Sequence, residues 1–282
     1  MENLLADVAR FGGATTRRAL YALGHSKRSL QSAVGCGSLI APARSWVVRP
    51  DAHPSIAKAL ASHGRVAGST ALVTAGVWVT HEDSTWLAVK PGAHCAPLEP
   101  GTRRIECAFA LDPAAPWRVS ILDALAQHCS RASRNDAIAS IDSALHKKRI
   151  VRSDLQKLAR LLPERRRSWL KRVDGRAESG LESILRLACQ DEGWSVDVQV
   201  PFRGGRLDLV INGWLCIEAD GSATHDDEDQ ARKDRRRNTQ LAAIGLRWHR
   251  FGYADVIYRL ESCIRVIRTL LSQGDPRVHQ PC

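Results

Sequence analysis

Two acids stand ten residues apart in otherwise apolar, β-branched runs: Asp208 within Arg206-Leu207-Asp208-Leu209-Val210-Ile211, and Glu218 within Trp214-Leu215-Cys216-Ile217-Glu218-Ala219-Asp220-Gly221. Both runs have strand length, and Asn212-Gly213 between them is the dipeptide of a type I′ turn, which needs positive φ at both central residues. This stretch is thereby committed to a hairpin with a carboxylate on each strand. Acids in a sheet interior cost free energy unless charge compensates them, and a hard divalent cation with oxygen ligands is the usual compensation. The pair therefore predicts a site for Mg²⁺ or Mn²⁺.

Register decides whether one ion reaches both acids. In a plain two-residue hairpin Ile211 faces Trp214, which sets Asp208 opposite Ile217 and turns Glu218 to the other face. A shared site requires a slip of one residue. We expect a β-bulge or an odd-length loop that brings Asp208 and Glu218 into direct opposition.

The chain has 282 residues, enough for two or three domains each with a core, and a formal net charge of +11. Such a field attracts polyanions, with nucleic acid as the first expectation and a membrane surface as the lesser one. No run approaches membrane-spanning length and Met1-Glu2-Asn3 does not open a signal peptide, so a cytoplasmic protein is expected. The eight cysteines contain no C-x-x-C pair and read as reduced thiols, most of them buried.

The expected organisation is multidomain α/β. Residues 1–52 read as helices over 4–11, 16–23 and 26–34 followed by strands over 38–40 and 46–49, the order of a winged helix-turn-helix. Ser26 would cap the recognition helix, with Lys27, Arg28 and Gln31 on its early turns and Arg44 on the wing, all placed for DNA. A small protein-binding helical module is the other reading. Residues 53–150 form an α/β connector with strands over 86–89 and 105–109 and helices over 120–128 and 135–145. Its His63, His81, His94 and His128 have no partner at ligand spacing. Residues 151–175 are a charged helical linker broken at Pro163. Residues 176–282 read as helix, three strands, helix, strand, helix, the second helix spanning 226–244 with an acidic first turn and a basic second half.

Glu182 on the first of these helices, Asp208, then Glu218-Ala219-Asp220-Gly221 and His225, and later Asp234-Arg235-Arg236-Arg237 with Leu241 and Gly245, resemble the very-short-patch-repair endonuclease-like branch of the PD-(D/E)XK nucleases. The resemblance covers roughly the last hundred residues. Residues 1–150, through Gly12-Gly13, the helical spacing and Ser69-Thr70-Ala71, resemble the abortive-infection type IV antitoxin, a winged-helix regulator with a second α/β domain.

These resemblances imply a restriction-endonuclease-like C-terminal domain with a mixed sheet flanked by helices, hydrolysing phosphodiester bonds. Asp208 and Glu218 would hold the metal, and Glu182 would be an outer or second-metal carboxylate. The family's usual lysine, two residues beyond the strand glutamate, is replaced here by Asp220. Water activation would then fall to the metal alone, to His225 or to Lys233, and Asp220 becomes an added ligand or a cap at Gly221. Lys233, Arg236 and Arg237 would meet DNA.

Structural alternatives stand beside each role. Ser179-Gly180-Leu181-Glu182 is also a capping box, Asp208 has Arg206 or Arg203 as ion-pair partners, and His225 follows a turn where a surface histidine is ordinary. Arg232 to Arg237 also pair at i,i+4 spacing with Glu228 and Asp229. The expected function is a metal-dependent DNA endonuclease acting on duplex, with a homodimer compatible. The alternative is a DNA-binding regulator in which the nuclease fold persists without catalysis, favoured by the missing lysine and by Asn238 where the branch often has an acid. An RNA substrate shares the same phosphate chemistry.

Overall fold

The computed structural model describes residues 2–202, 205–221 and 246–278. The chain divides into two compact units, one of residues 1–132 with 149–167 and one of residues 133–148 with 168–282.

The first unit opens with α1 (Glu2–Arg10), β1 (Ala14–Thr16), α2 (Arg17–Ala22), α3 (Lys27–Gly35) and β2 (Trp46–Val48). Thr16 and Ser26 cap α2 and α3 by accepting from the N–H groups of Ala19 and Ser29. Leu4, Val8, Leu20, Leu30, Ala33, Leu39 and Val47 make one core beneath these elements. β1 was not foreseen. It pairs antiparallel with β2, and the strand expected over 38–40 reduces to a single bridge from Ile40 to Val48.

The same unit continues with α4 (Pro54–Ala61), β3 (Arg65–Val66), α5 (Gly68–Thr74), β4 (Thr85–Val89), β5 (Thr102–Glu106), β6 (Leu111–Asp112), β7 (Ala115–Val119) and α6 (Ile121–Cys129). Its strands form a mixed sheet in the order β5-β4-β3-β7-β6. The strand expected over 105–109 sits earlier, because the β4–β5 pairing runs from Thr85↔Thr102 to Val89↔Glu106. The buried Trp117 of β7 donates its Nε1–H to the carbonyl of Phe11 at 2.7 Å, so the N-terminal helices are bonded to this sheet. α8 (Asp154–Leu161) and α9 (Glu164–Arg167) complete the unit, separated at Pro163 as expected.

The second unit contains α7 (Arg134–His146), a 3₁₀ turn (Ser168–Arg172), α10 (Gly180–Asp191), β8 (Val196–Phe202), β9 (Gly205–Ile211), β10 (Leu215–Asp220), β11 (Arg247–Gly252), α11 (Tyr253–Tyr258) and α12 (Leu260–Ser272). Strand order is β11-β10-β9-β8, antiparallel except for the parallel β10–β11 pair. The helix expected over 226–244 lies outside the described residues. This unit is mixed α/β with helices against a mixed sheet.

An ion pair locks α7 to α10. Arg186 donates to Asp142 at 2.8 Å, and both side chains are at most 2% exposed. Asp142 also accepts from the Ser183 hydroxyl and the Asp174 N–H. Burial pushes its carboxyl up to about 6 against the pull of Arg186 and Ser183. Four of the described cysteines, Cys129, Cys189, Cys216 and Cys263, are buried as expected. Burial pushes the Cys129 and Cys189 thiols up to about 12, which keeps them protonated and inert.

Candidate active site

The hairpin forms at Asn212-Gly213, whose φ values of 50° and 77° are those of a type I′ turn closed by Trp214 N–H donating to the Ile211 carbonyl. The strands then pair as Leu215↔Ile211, Cys216↔Val210 and Ile217↔Leu209. Trp214 is thus one extra residue on the β10 side, buried to 8% exposure, and the loop is odd in length. Carried one step past its last pair, this register would bring Asp208 level with Glu218, but the strands part before that pair forms.

Polar residues stand near that level on all four strands, paired only between β10 and β11. Val198↔Leu209 and Val200↔Leu207 flank Gln199 and Asp208, and Glu218 pairs directly with Arg250. The order across the four strands is therefore Gln199, Asp208, Glu218, Arg250. Adjacent rows are apolar, with Val198, Leu209 and Ile217 buried on one side and Leu207 and Phe251 on the other.

The sheet forks at this row. Pairing between β9 and β10 ends at Leu209↔Ile217, while β9 continues along β8 to Gly205 and β10 continues along β11 to Asp220. Backbone groups at a fork lose their ladder partners and need others. Asp208 supplies one: its Oδ2 accepts from the Ala219 N–H at 3.0 Å, bridging the two arms.

Glu218, only 4% exposed, is compensated by Arg250. The guanidinium reaches its Oε2 with Nη2 at 2.9 Å and Nε at 3.3 Å, and approaches the Asp220 Oδ2 at 3.8 Å with Nη1. Taking a carboxylate out of water costs several kcal/mol, so a fixed cation beside it is a physical requirement. Arg250 is the site residue that sequence reasoning missed. Its neighbour His249 has its pKa lowered by burial and packs edge-on against Phe251 at 4.6 Å.

Glu182 is 4% exposed at the start of α10. The Ser179 hydroxyl accepts from its N–H at 3.2 Å, while its Oε2 accepts from the Glu178 N–H at 3.0 Å and from the Gln199 side-chain amide at 2.8 Å. The capping role is therefore real, and the same oxygen holds Gln199. That residue has φ of 55°, a left-handed conformation rare for a strand residue, and it links α10 to the polar row.

Among the described residues no three His, Cys, Asp or Glu side chains gather as a metal-binding group. Two carboxylates still match the habit of Mg²⁺, which takes one or two from the protein and completes its octahedron with water and substrate phosphate. His225, Lys233, Arg236 and Arg237 lie outside the described residues. In the first unit Lys27, Arg28 and Gln31 on α3 and Arg44 before β2 are all exposed. No described helix is long and apolar enough to cross a membrane.

No family model matches this chain, and no curated protein does. Among solved structures, the homing endonuclease I-Bth0305I catalytic domain aligns over 32% of this chain and 89% of that domain, with 15% identity and a TM-score of 0.26.

Proposed function

We propose that the chain is a metal-dependent DNA endonuclease whose site is the fork between β9 and β10. One observation supports this reading: the odd-length loop leaves Asp208 and Glu218 each one residue past the last pair of β9 and β10, Leu209↔Ile217, where the sheet opens. Asp208 and Glu218 would hold Mg²⁺ or Mn²⁺, with Asp220 on the same arm. When bound, the ion supplies Lewis acidity toward the scissile phosphate and lowers the pKa of an attacking water. Arg250 orients Glu218 and offers fixed positive charge beside the phosphate as negative charge grows on it. Gln199, held by Glu182, keeps the β8 side of the row in place. His225 is the proton acceptor in this reading, in place of the family's lysine.

Duplex delivery falls to the N-terminal segment, read as a winged helix in which α3 carries Lys27, Arg28 and Gln31 and Arg44 reaches phosphate. A homodimer is compatible with this arrangement. Incubating the protein with supercoiled plasmid and Mg²⁺ or Mn²⁺ tests the proposal: nicking that chelation stops and Asp208→Ala abolishes supports it, and a wild-type protein inert with both metals contradicts it.

A second reading has its own observation. Arg250 already sets a cation 2.9 Å from Glu218, so that carboxylate is compensated without an ion. A DNA-binding regulator with a silent nuclease fold would show duplex binding and no metal-dependent cutting.

A further inference from the structure

β5 is an edge strand of the five-stranded sheet, and charged residues on an edge ordinarily guard it against pairing with another chain. That accounts for Arg103 and Arg104 as a pair of exposed arginines. It does not account for where Arg103 rests. The parallel register sets it beside Trp86 of β4, and its guanidinium carbon lies 5.5 Å from the centre of the indole ring. A second guanidinium, that of Arg131 just beyond α6, comes to 5.1 Å from the same ring centre. Both arginines are exposed, and neither makes a salt bridge among the described residues.

Two like charges on one aromatic ring repel each other, while each cation–π contact at an exposed site returns only about 0.5–1 kcal/mol. The indole itself is held in place by its surroundings. The Trp86 carbonyl accepts from the Ala67 N–H at 2.8 Å, and its N–H donates to the Thr70 hydroxyl at 3.0 Å. The indole's inner atoms lie within 3.6 Å of where a side chain would begin at Gly68. A guanidinium lying over a ring face retains N–H donors that match the oxygens of a phosphate.

We propose that Trp86, Arg103 and Arg131 form a guanidinium clamp that binds backbone phosphates of nucleic acid, a contact separate from the fork and from α3. It reads no bases. Its contribution is electrostatic and independent of sequence.

The test is fluorescence anisotropy with a labelled duplex across a series of salt concentrations, comparing wild type, Arg103→Ala/Arg131→Ala and Arg103→Lys/Arg131→Lys. Each phosphate contact adds roughly 0.9 to the slope of log affinity against log salt, so the alanine pair should lower that slope by about two. The lysine pair, which keeps charge, should restore most of it. Circular dichroism shows whether the variants fold, and the exposed side chains make folding the expectation. An unchanged slope in a folded alanine pair overturns the proposal. So does selective loss of binding to phosphatidylserine vesicles with duplex binding intact. Asp208→Ala leaves the clamp untouched, so absence of cleavage and absence of this contact are separate failures.

Discussion

Each polar side chain at the fork answers for another. Arg250→Ala removes the guanidinium that bonds the buried Glu218, and a hydrogen bond to a charged group is worth about 1.5–3 kcal/mol, so urea unfolding should show a loss of that order. Glu218→Gln together with Arg250→Ala should cost less than the two single changes added, because the shared interaction is lost only once. Additive losses would mean that the pair does not interact. Asp142 belongs to the same class at a distance from the fork. Asp142→Asn strands Arg186 at 2% exposure, and breaking such a buried pair costs about 3–5 kcal/mol in urea unfolding.

The pH dependence of the second unit follows from the signs. Asp142, raised to about 6 from an ordinary 3.8, binds its proton more tightly when folded. Its titration adds stability that is full below 3.8 and is lost as pH rises through about 6. Asp174 runs the other way. The Arg176 hydrogen bond holds it below 3.8, so its contribution is present above that value and lost as pH falls through the depressed pKa. Asp191 behaves likewise, since Arg172 and Arg134 outweigh the burial that would raise it. Acid unfolding should therefore set in below about pH 4, and Asp142→Asn should flatten stability between roughly pH 4 and 6.

At the scale of elements, the hairpin decides whether a site exists at all. Gly213 has φ of 77° with nothing near its missing side chain, so Gly213→Val meets only backbone strain. That strain is about 1–2 kcal/mol for a left-handed residue, measurable as a lowered Tm. Deleting Trp214 acts on geometry instead. It closes the loop to two residues with Leu215 still opposite Ile211, so the register of Asp208 and Glu218 is kept and metal binding should persist in molecules that stay folded. Loss of metal binding in a folded deletion variant would show that the extra residue itself, and not the register alone, shapes the site.

What was legible in the chain depended on how local its cause was. Asn212-Gly213, the two acids and the need for an odd loop all lie within eleven residues, and turn chemistry plus alternation suffices to read them. Arg250 was not legible, because it joins Glu218 through a parallel pairing 32 positions away that no local pattern announces. Asp142 was missed for a related reason: α7 carries enough polar residues to look like a surface helix, and only its packing on α10 buries them. In the first unit β1 is three residues long and exists only because β2 pairs with it. The helix caps at Ser26 and Ser179 were plain, since a cap needs nothing beyond its own turn.

At the scale of the whole molecule, +11 of charge draws polyanions, but the charge is unevenly used. Arg250, Arg186 and Arg172 are tied to carboxylates, whereas the early turns of α3 present Lys27 and Arg28 exposed. Lys27→Ala/Arg28→Ala should weaken duplex binding and lower the salt slope by about two, while leaving metal binding at the fork intact.

The central claim is that Asp208 and Glu218 share a divalent ion across the fork. Titrating Mn²⁺ into the protein by isothermal calorimetry, without nucleic acid, tests it most directly. The account predicts one site in the wild type that disappears in both Asp208→Ala and Glu218→Gln. Binding that persists undiminished in either variant, or no binding by the wild type, would contradict it.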